Sequence, residues 1–421
     1  MPERPSSANL TTGPVEGEQR MEALHSSAPP PVLFLAPRRW YSAHCGARSL
    51  AELGVRVYML SHLGLSPSNL SRYCSGTFPV GYDGRPLGDQ ARIVSDLRDV
   101  GVKLGPGTVL VPATDEWAVF MAEHQHELAE LFRFPSLPAS LATSLASKQG
   151  LHRIASEHGL ATPVPVVPRS LAEALDLAQD LRYPVMVKPE ISRPSVETKM
   201  VVDGPEQLVD RLRELAEADE APNLVFQEFI PGNEDWTFTG YFDAESRCLA
   251  GFTGLRLRTQ PPHMGHTSLG MCLRNSELHE VATGFLAAVG YRGIVDAEFR
   301  YDARDRVYKV LDVNPRVGGN FRVFVDVHGM DVVRALYLDM VGRRVPMVEP
   351  QEGRLWMKED SDLISFVHLR RAGELDLRGW VRSLRGLKEG ATFSVRDPMP
   401  FLTAMVLMVG DTLEGKLRRP G

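Results

Sequence analysis

The residues with the most to offer chemically lie in the run GIVDAEFRYDARDRVYKVLDVNPRVGGN, from Gly293 to Asn320. Its alternation predicts two short strands joined by a polar turn from Asp302 to Arg306. Strand side chains change face with a period of two, so Ile294, Asp296, Glu298 and Arg300 share one face and Val295, Ala297 and Phe299 the other. In the second strand Val310, Asp312 and Asn314 share a face that Leu311 and Val313 oppose. An antiparallel register that keeps like faces together sets Glu298 opposite Asp312 and Asp296 opposite Asn314. Opposed Cβ atoms lie about 4.5–5.5 Å apart, where like charges repel unless a cation sits among them. Hard oxygen donors, with phosphate completing the shell, suit Mg²⁺, so Glu298, Asp312 and Asn314 are candidate metal ligands. Asp296 would stand behind them, orienting Arg300 or a water. A solvated acidic face would give the same pattern. The tail Asn314-Pro315-Arg316, then Gly318-Gly319-Asn320, favours the metal, because a cation and pliable backbone directly after carboxylates serve a transferring phosphoryl group.

Three other features could carry chemistry. Tyr183 to Pro189 reads as a buried strand with one lysine, Lys188. A buried ammonium without a partner is costly, so it snorkels, pairs with a carboxylate or binds an anion; the strand alone leaves all three open. Arg256 and Arg258 are two apart and would share a strand face, as a solvated stripe or toward a site. His263, His266 and Cys272 could be drawn as a zinc site, but the Pro and Gly around them favour a loop beside a substrate.

The elements that must position these residues follow from pattern. Pro31–Ala36 and Val55–Leu60 read as strands, with a loop from Pro37 to Gly46 and a helix from Ala47 to Leu53 between them. A helix from Asp89 to Val100, a strand Val109–Pro112 and a loop Ala113–Glu116 complete a small doubly wound unit, whose ligand end would lie near Arg38, Arg39 and Asp115. Beyond it come an amphipathic helix Leu145–His158, the lysine strand, a loop Ile191–Glu197, an apolar strand Leu224–Ile230 and a largely antiparallel sheet ending in the acidic hairpin. After Val345 the pattern loosens into short elements without recognisable chemistry. At 421 residues, two or three domains are expected. The net charge of −6 argues against a general nucleic-acid binder. No apolar run is long enough for a transmembrane helix. Residues 1–28 lack the apolar centre of a signal peptide and read as a disordered leader. Four scattered cysteines without C-x-x-C spacing read as reduced thiols of a cytoplasmic protein.

The ordered set Ser147-Lys148, PVMVKP, VFQEFIPGNED and DAEF…VLDVNPR resembles the ATP-grasp enzymes over about residues 30–345. The carboxylate–amine ligases, including D-alanine:D-alanine and D-aspartate ligases, and carbamoyl phosphate synthetase are the similar members. The resemblance implies an α/β and α+β chain: a leader (1–28), an N-terminal doubly wound parallel-sheet domain (29–128), a two-lobed ATP-grasp fold (129–345, lid about 183–228) and a small C-terminal region (346–421). It implies ATP and Mg²⁺ (or Mn²⁺) as cofactors, with Lys148 and Lys188 on phosphates, Gln227, Glu228, Phe229 and Ile230 as the adenine linker, and Glu234 on the ribose. Glu298, Asp312 and Asn314 would hold metal, while Arg316, Arg256 and Lys188 would stabilise the reacting groups. Carboxylate and amine substrates are expected, with no nucleic acid, no membrane, and a homodimer as an option. The implied activity is acyl-phosphate formation followed by amide synthesis. Bicarbonate-using carboxyphosphate chemistry and a non-catalytic ATP-binding regulator are the alternatives. One departure stands out: the phosphate-covering loop, glycine-rich in the superfamily, has no glycine between Ile191 and Glu197.

Overall fold

Four consecutive apolar residues, Val32–Leu35, form the central strand of a five-stranded sheet and are all fully buried. A computed structural model describes residues 28–36, 41–62, 65–80, 88–190, 199–217, 224–232 and 234–417. The expected leader up to residue 27, Arg38 and Arg39, and the loop Ile191–Glu197 lie outside the described residues. The sheet runs Cys74–Val80, Val57–His62, Val32–Leu35, Thr108–Pro112, Phe132–Arg133, with every neighbouring pair parallel. A parallel sheet needs both faces covered. Val32 and Phe34 pack with Ala43 and Ala47 on one side, Leu33 and Leu35 with Trp117 and Phe120 on the other. The first helix spans Tyr41–Ala51, so Tyr41 to Gly46 is helix rather than the expected loop. Gly46 permits this, since a Cβ there would collide with the Phe34 ring. Asp115 and Glu116, also expected in a loop, open the helix Asp115–Glu123.

The lysine strand Val185–Pro189 sits inside a four-stranded sheet between Leu224–Glu228 and Met200–Val202, with Pro165–Val166 at one edge. A seven-stranded sheet runs Val307–Asn314, Gly293–Asp302, Asp235–Phe242, Cys248–Gln260, His266–Cys272, Leu355–Met357, Leu387–Gly390. Of the loop expected around His263, His266 and Cys272, the part His266–Cys272 is therefore strand. Residues after Val345 contribute two strands to this sheet. One sheet face, with Tyr241, Phe252 and Ile294, shares a core with Ala43, Ala47 and Val333. The opposite face, with Phe238, Phe299, Val310 and Val313, packs on Leu145, Leu151 and Leu278 from three helices.

Two local irregularities position chemistry. The expected helix Leu145–His158 is broken into Ala139–Ala146 and Lys148–Glu157. Ser147 is extended and its Oγ accepts the Gly150 N–H at 3.0 Å, a side-chain N-cap. Gly150 lets the two helices meet, because a Cβ would lie 2.7 Å from Ser144 Cα. Lys148 thus becomes the first residue of the second helix. In the hairpin, Asp296 pairs with Asn314 and Glu298 with Asp312, as alternation requires, but Phe299 pairs with Val310. Leu311 is the extra residue of a β-bulge. The bulge turns Val310 into the core beside Val313, so it does not share the face of Asp312.

Candidate active site

Glu298 and Asp312 lie opposite each other in the ladder, and each commits one oxygen to a cation. Arg256 Nη1 donates to Glu298 Oε2 at 2.6 Å, and Lys148 Nζ to Asp312 Oδ1 at 2.9 Å. Asn314 donates its Nδ2 to the Asp296 carbonyl at 3.0 Å, which leaves its amide oxygen to serve as an acceptor. Lys188 Nζ reaches the carbonyl of the bulge residue Leu311 at 3.4 Å, so the four-stranded and seven-stranded sheets meet at the acidic hairpin. Ser147 Oγ and the Gln149 N–H both meet Glu190 Oε1, at 2.7 and 3.0 Å, and tie the helix break to the end of the lysine strand. Arg316 faces Asp296 Oδ2 and Asp115 Oδ1, each at 3.3 Å.

Burial makes these charges strong. Burial works against the Lys148 cation, which is only 3% exposed, but Asp312 more than offsets it and its pKa is raised. Asp312 is also disfavoured by burial, yet Lys148, Lys188 and Lys199 hold it well below the usual carboxylate range. Lys188, 7% exposed, has no carboxylate in contact among the described residues; burial and the Lys148 charge bring its pKa down to about 7. Of the three fates open to this lysine, neither snorkelling nor a direct ion pair is met. Asp296 is pushed up to about 6 by burial, against the opposing pull of Arg316. Buried polar atoms without a hydrogen-bond partner gather here: Arg256 Nε, Arg316 Nε, Thr237 Oγ1, Asp115 Oδ1 and Glu190 Oε2. Arg316 Nε and Asp115 Oδ1 face each other without the alignment of a hydrogen bond. Such groups are rare in folded proteins and mark places where a ligand or water completes the network.

The remaining sequence candidates are distributed as follows. Gln227 is buried on its strand and Nε2 reaches the Pro163 carbonyl at 3.5 Å. Glu228 pairs with Arg304 at 2.7 Å and Lys309 at 3.4 Å, at the turn end of the hairpin. The Ile230 carbonyl accepts Arg300 Nη1 at 2.9 Å, and Phe229 lies under the same guanidinium. Glu234 is exposed. Arg300 pairs with Asp235, so Asp296 orients Arg316 instead of the expected Arg300. Arg256 and Arg258 do not share a face: Leu257 is an extra residue in the ladder, and Arg258 turns to Asp362 at 2.9 Å. His263 goes to Glu374, His266 to Ser361 and Cys272 into the core, so the zinc trio does not assemble. Among the described residues no three His, Cys, Asp or Glu side chains converge as a metal cage. Glu298, Asp312 and the Asn314 oxygen would supply a partial set that phosphate and water complete.

Sequence reasoning left Thr237 and Glu190 unremarked and gave Asp115 only a general place. The threonine had a signal, since it sits two residues from Asp235 on the strand that pairs Glu298. Asp115 and Glu190 had none, because their partners are distant in the chain.

No family model matches the chain. It is 26% identical over 272 residues to D-aspartate ligase of Enterococcus faecium (strain Aus0004), covering 59% of this chain and 64% of the relative. The chain therefore spans less than two thirds of the length of that curated relative. An L-amino acid ligase from Bacillus licheniformis superposes with a TM-score of 0.57 at 18% identity, over 78% of this chain and 76% of the other. The fold is that of the ATP-grasp superfamily. The biotin carboxylase domain of Hydrogenobacter thermophilus 2-oxoglutarate carboxylase, solved with MgADP, ADP and bicarbonate, shares it with a TM-score of 0.59 at 16% identity, over 78% of this chain and 74% of the other. In this ATP-grasp fold the lysine strand and the acidic hairpin come from different sheets, which meet through Lys188 and Leu311. Among the described residues no helix is long and apolar enough to cross a membrane.

Proposed function

We propose that the chain is an ATP-dependent ligase that activates a carboxylate as an acyl phosphate and couples it to an amine, releasing ADP and phosphate. The observation that carries this reading is the ladder pair Glu298–Asp312 beside two buried lysines, one of which, Lys188, touches no carboxylate among the described residues. A buried amine without a counter-charge either sheds its proton or takes an anion, and a bound polyphosphate favours the second. The likeness to D-aspartate ligase and L-amino acid ligase supports the same chemistry. The domain division 29–128, 129–345 and 346–421, with a lid near 183–228, is the layout we adopt, for a cytoplasmic protein able to pair as a homodimer.

The donor set fits magnesium: two carboxylates with an oxygen each to spare, and an amide whose nitrogen is already engaged. Glu298, Asp312 and Asn314 would hold Mg²⁺ (Mn²⁺ can substitute), which when bound neutralises phosphate oxygens and aligns the γ-phosphoryl group. Lys148 and Lys188 receive the phosphates. Near pH 7 Lys188 is poised between charge states, and a polyphosphate beside it draws it to the protonated form. Gln227 to Ile230 read adenine through backbone groups, and exposed Glu234 takes the ribose hydroxyls. Arg316, aimed by Asp296 and Asp115, stabilises the charge that develops as a substrate carboxylate oxygen attacks the γ-phosphorus and ADP departs. Arg256 bridges toward Glu298 and faces the acyl phosphate. The amine then attacks the acyl carbon, phosphate leaves, and an amide forms. Closure of the lid excludes water that would otherwise hydrolyse the intermediate.

A phosphate-release screen of carboxylic acids against pooled amines, with products weighed by mass spectrometry, tests this. ADP formation that requires both an acid and an amine supports the ligase. Release driven by bicarbonate alone selects carboxyphosphate chemistry, to which the biotin carboxylase likeness points. Tight MgATP binding with no turnover for any pair sinks the catalytic reading.

A further inference from the structure

Exposed apolar side chains are concentrated at the C-terminal end of the fold. Among the described residues, eleven of the twenty large apolar side chains open to solvent lie between Leu363 and Val409. Such residues scattered singly are ordinary, whereas a cluster of them marks a contact surface. The helix Glu359–Arg371 exposes Leu363, Ile364 and Val367, and the helix Leu377–Ser383 exposes Leu377 and Val381. The helix Met399–Leu417 buries Thr403 and Ala404 and turns Met399, Leu402, Val406 and Val409 outward, each 46% to 61% exposed. Their three-four-three spacing puts those four on one stripe, and no charge occurs from Pro398 to Gly410. These elements are firmly mounted. Phe366 stacks on Trp380 with centroids 4.8 Å apart, and Trp380 Nε1 donates to Asp362 at 2.8 Å. Asp362 in turn accepts Arg258 of the seven-stranded sheet at 2.9 Å. Asp397, just before the last helix, accepts the Arg72 N–H at 2.9 Å and the Ser71 hydroxyl at 2.6 Å.

The same stretch runs against the charge of the whole chain. Residues 363–409 hold seven Lys or Arg and four Asp or Glu, in a protein of net charge −6. All four acids are engaged: Glu374 by His263, Asp376 as a helix N-cap, Glu389 by Arg322 and Arg354, and Asp397 as above. All seven cations are exposed, and none meets a carboxylate among the described residues. On the helix Leu377–Ser383 an apolar row, Leu377 and Val381, runs beside a cationic row, Arg378 and Arg382, both spaced by four. Only Phe393 among the exposed apolar groups of this stretch is aromatic, so it offers no stacking platform for nucleic-acid bases. A second copy would bring the patch onto its own image and set the cations against themselves. An anionic bilayer meets both parts at once: aliphatic side chains enter the acyl boundary while Arg and Lys reach lipid phosphates.

We propose that the helices Glu359–Arg371, Leu377–Ser383 and Met399–Leu417 form a peripheral docking surface for an anionic phospholipid bilayer. Arg378 and Arg382 meet the headgroup phosphates, and Leu377, Val381, Leu402 and Val406 bury aliphatic surface beneath them. The expectation of no membrane partner followed from the lack of a spanning segment, and a helix lying on the surface needs none. Docking of this kind goes beyond the ligase reading and does not depend on it.

The test is sedimentation of the full chain with vesicles of mixed phosphatidylglycerol and phosphatidylcholine, against phosphatidylcholine alone. Binding to the anionic vesicles is expected to be at least about tenfold tighter than to the neutral ones, and to weaken as salt rises. Arg378→Glu with Arg382→Glu lowers the affinity by about 30-fold or more. Leu377→Ser with Val381→Ser lowers it by about tenfold, through lost apolar burial. Both double variants keep Tm within about 2 °C of the parent, because exposed side chains carry little stability. Equal binding to neutral and anionic vesicles, or binding to neither, overturns the assignment, as does binding that both double variants retain. A dimer in light scattering that Leu402→Ser with Val406→Ser abolishes gives the face to a second copy instead. Retention of double-stranded DNA as tight as that of anionic vesicles marks a general polyanion surface and also overturns it. Because vesicle binding is read without turnover, failure of ADP release leaves this result standing, and failure here leaves the ligase reading standing.

Discussion

The two ends of the hairpin Gly293–Asn314 are built from the same residue types and are wired in opposite ways. At the turn, Asp302 is fully buried and receives Arg304 Nη2 at 2.6 Å and Lys309 at 2.8 Å; Asp305 and Glu228 complete the network. At the far end, Glu298 and Asp312 each meet one cation on one oxygen, and buried atoms of Arg256, Thr237 and Arg316 meet none. A satisfied polar network rigidifies a fold, whereas a partly satisfied one is costly until something fills it. The turn end stabilises the chain. The open end departs from the rule of buried satisfaction, and such departures concentrate at functional sites.

The comparison breaks first at the lysines and acids of the open end. Lys188→Ala and Asp312→Ala should each lower ADP formation by about 10³-fold or more, losing charge stabilisation at the phosphoryl group. Their stabilities should part company: Lys188→Ala keeps or raises Tm because it removes a buried amine that meets no carboxylate among the described residues, while Asp312→Ala lowers Tm by stranding Lys148. Substantial residual turnover in both variants would refute the assigned roles.

Arg256 and Arg258 give the next contrast. Arg256→Ala should reduce kcat by about 10²-fold. Arg258→Ala leaves kcat nearly intact and lowers Tm instead, because it breaks the buried contact with Asp362. Equal kinetic losses would mean that the bulge at Leu257 does not separate the two faces. A smaller effect, about tenfold in kcat with KM for ATP unchanged, is expected for Gly318→Ala. Its Cβ would lie 2.6 Å from the Asp296 carboxylate and would push Arg316 off its aim.

The closed end should show no kinetic effect at all. Asp302→Asn is expected to cost about 2 kcal/mol of stability at pH 7 in urea melts, with kcat within twofold of the parent. Arg304 and Lys309 hold the Asp302 pKa far below the carboxylate range. Its stabilisation is therefore present above the unfolded-state pKa near 4 and is lost as pH falls toward the folded value. The stability gap between parent and variant should narrow steadily below about pH 4. A gap independent of pH would mean that packing rather than charge sets the cost.

Much of the hairpin was legible because strand alternation is a local property. The opposition of Glu298 to Asp312 and Asp296 to Asn314 follows from spacing and one turn. The buried lysine strand was legible for the same reason, as an apolar run with one charge in it. The bulges at Leu311 and Leu257 were not legible, since an extra residue is accommodated only where the neighbouring strands and core permit it. The helix break at Ser147 carried a weak signal, a capping serine followed three residues later by Gly150, hidden beneath the helical period of the flanking leucines.

By itself the chain's order of residues determined which side chains could face one another on a strand, where a charge would be buried, and hence that a metal and phosphate site was the economical reading of the acidic hairpin. Only the tertiary structure decided which cation meets which carboxylate, and that Asp115 and Glu190 join them. The physical reason is that alternation acts between adjacent residues, whereas ion pairing and desolvation depend on which surfaces the packed core brings together.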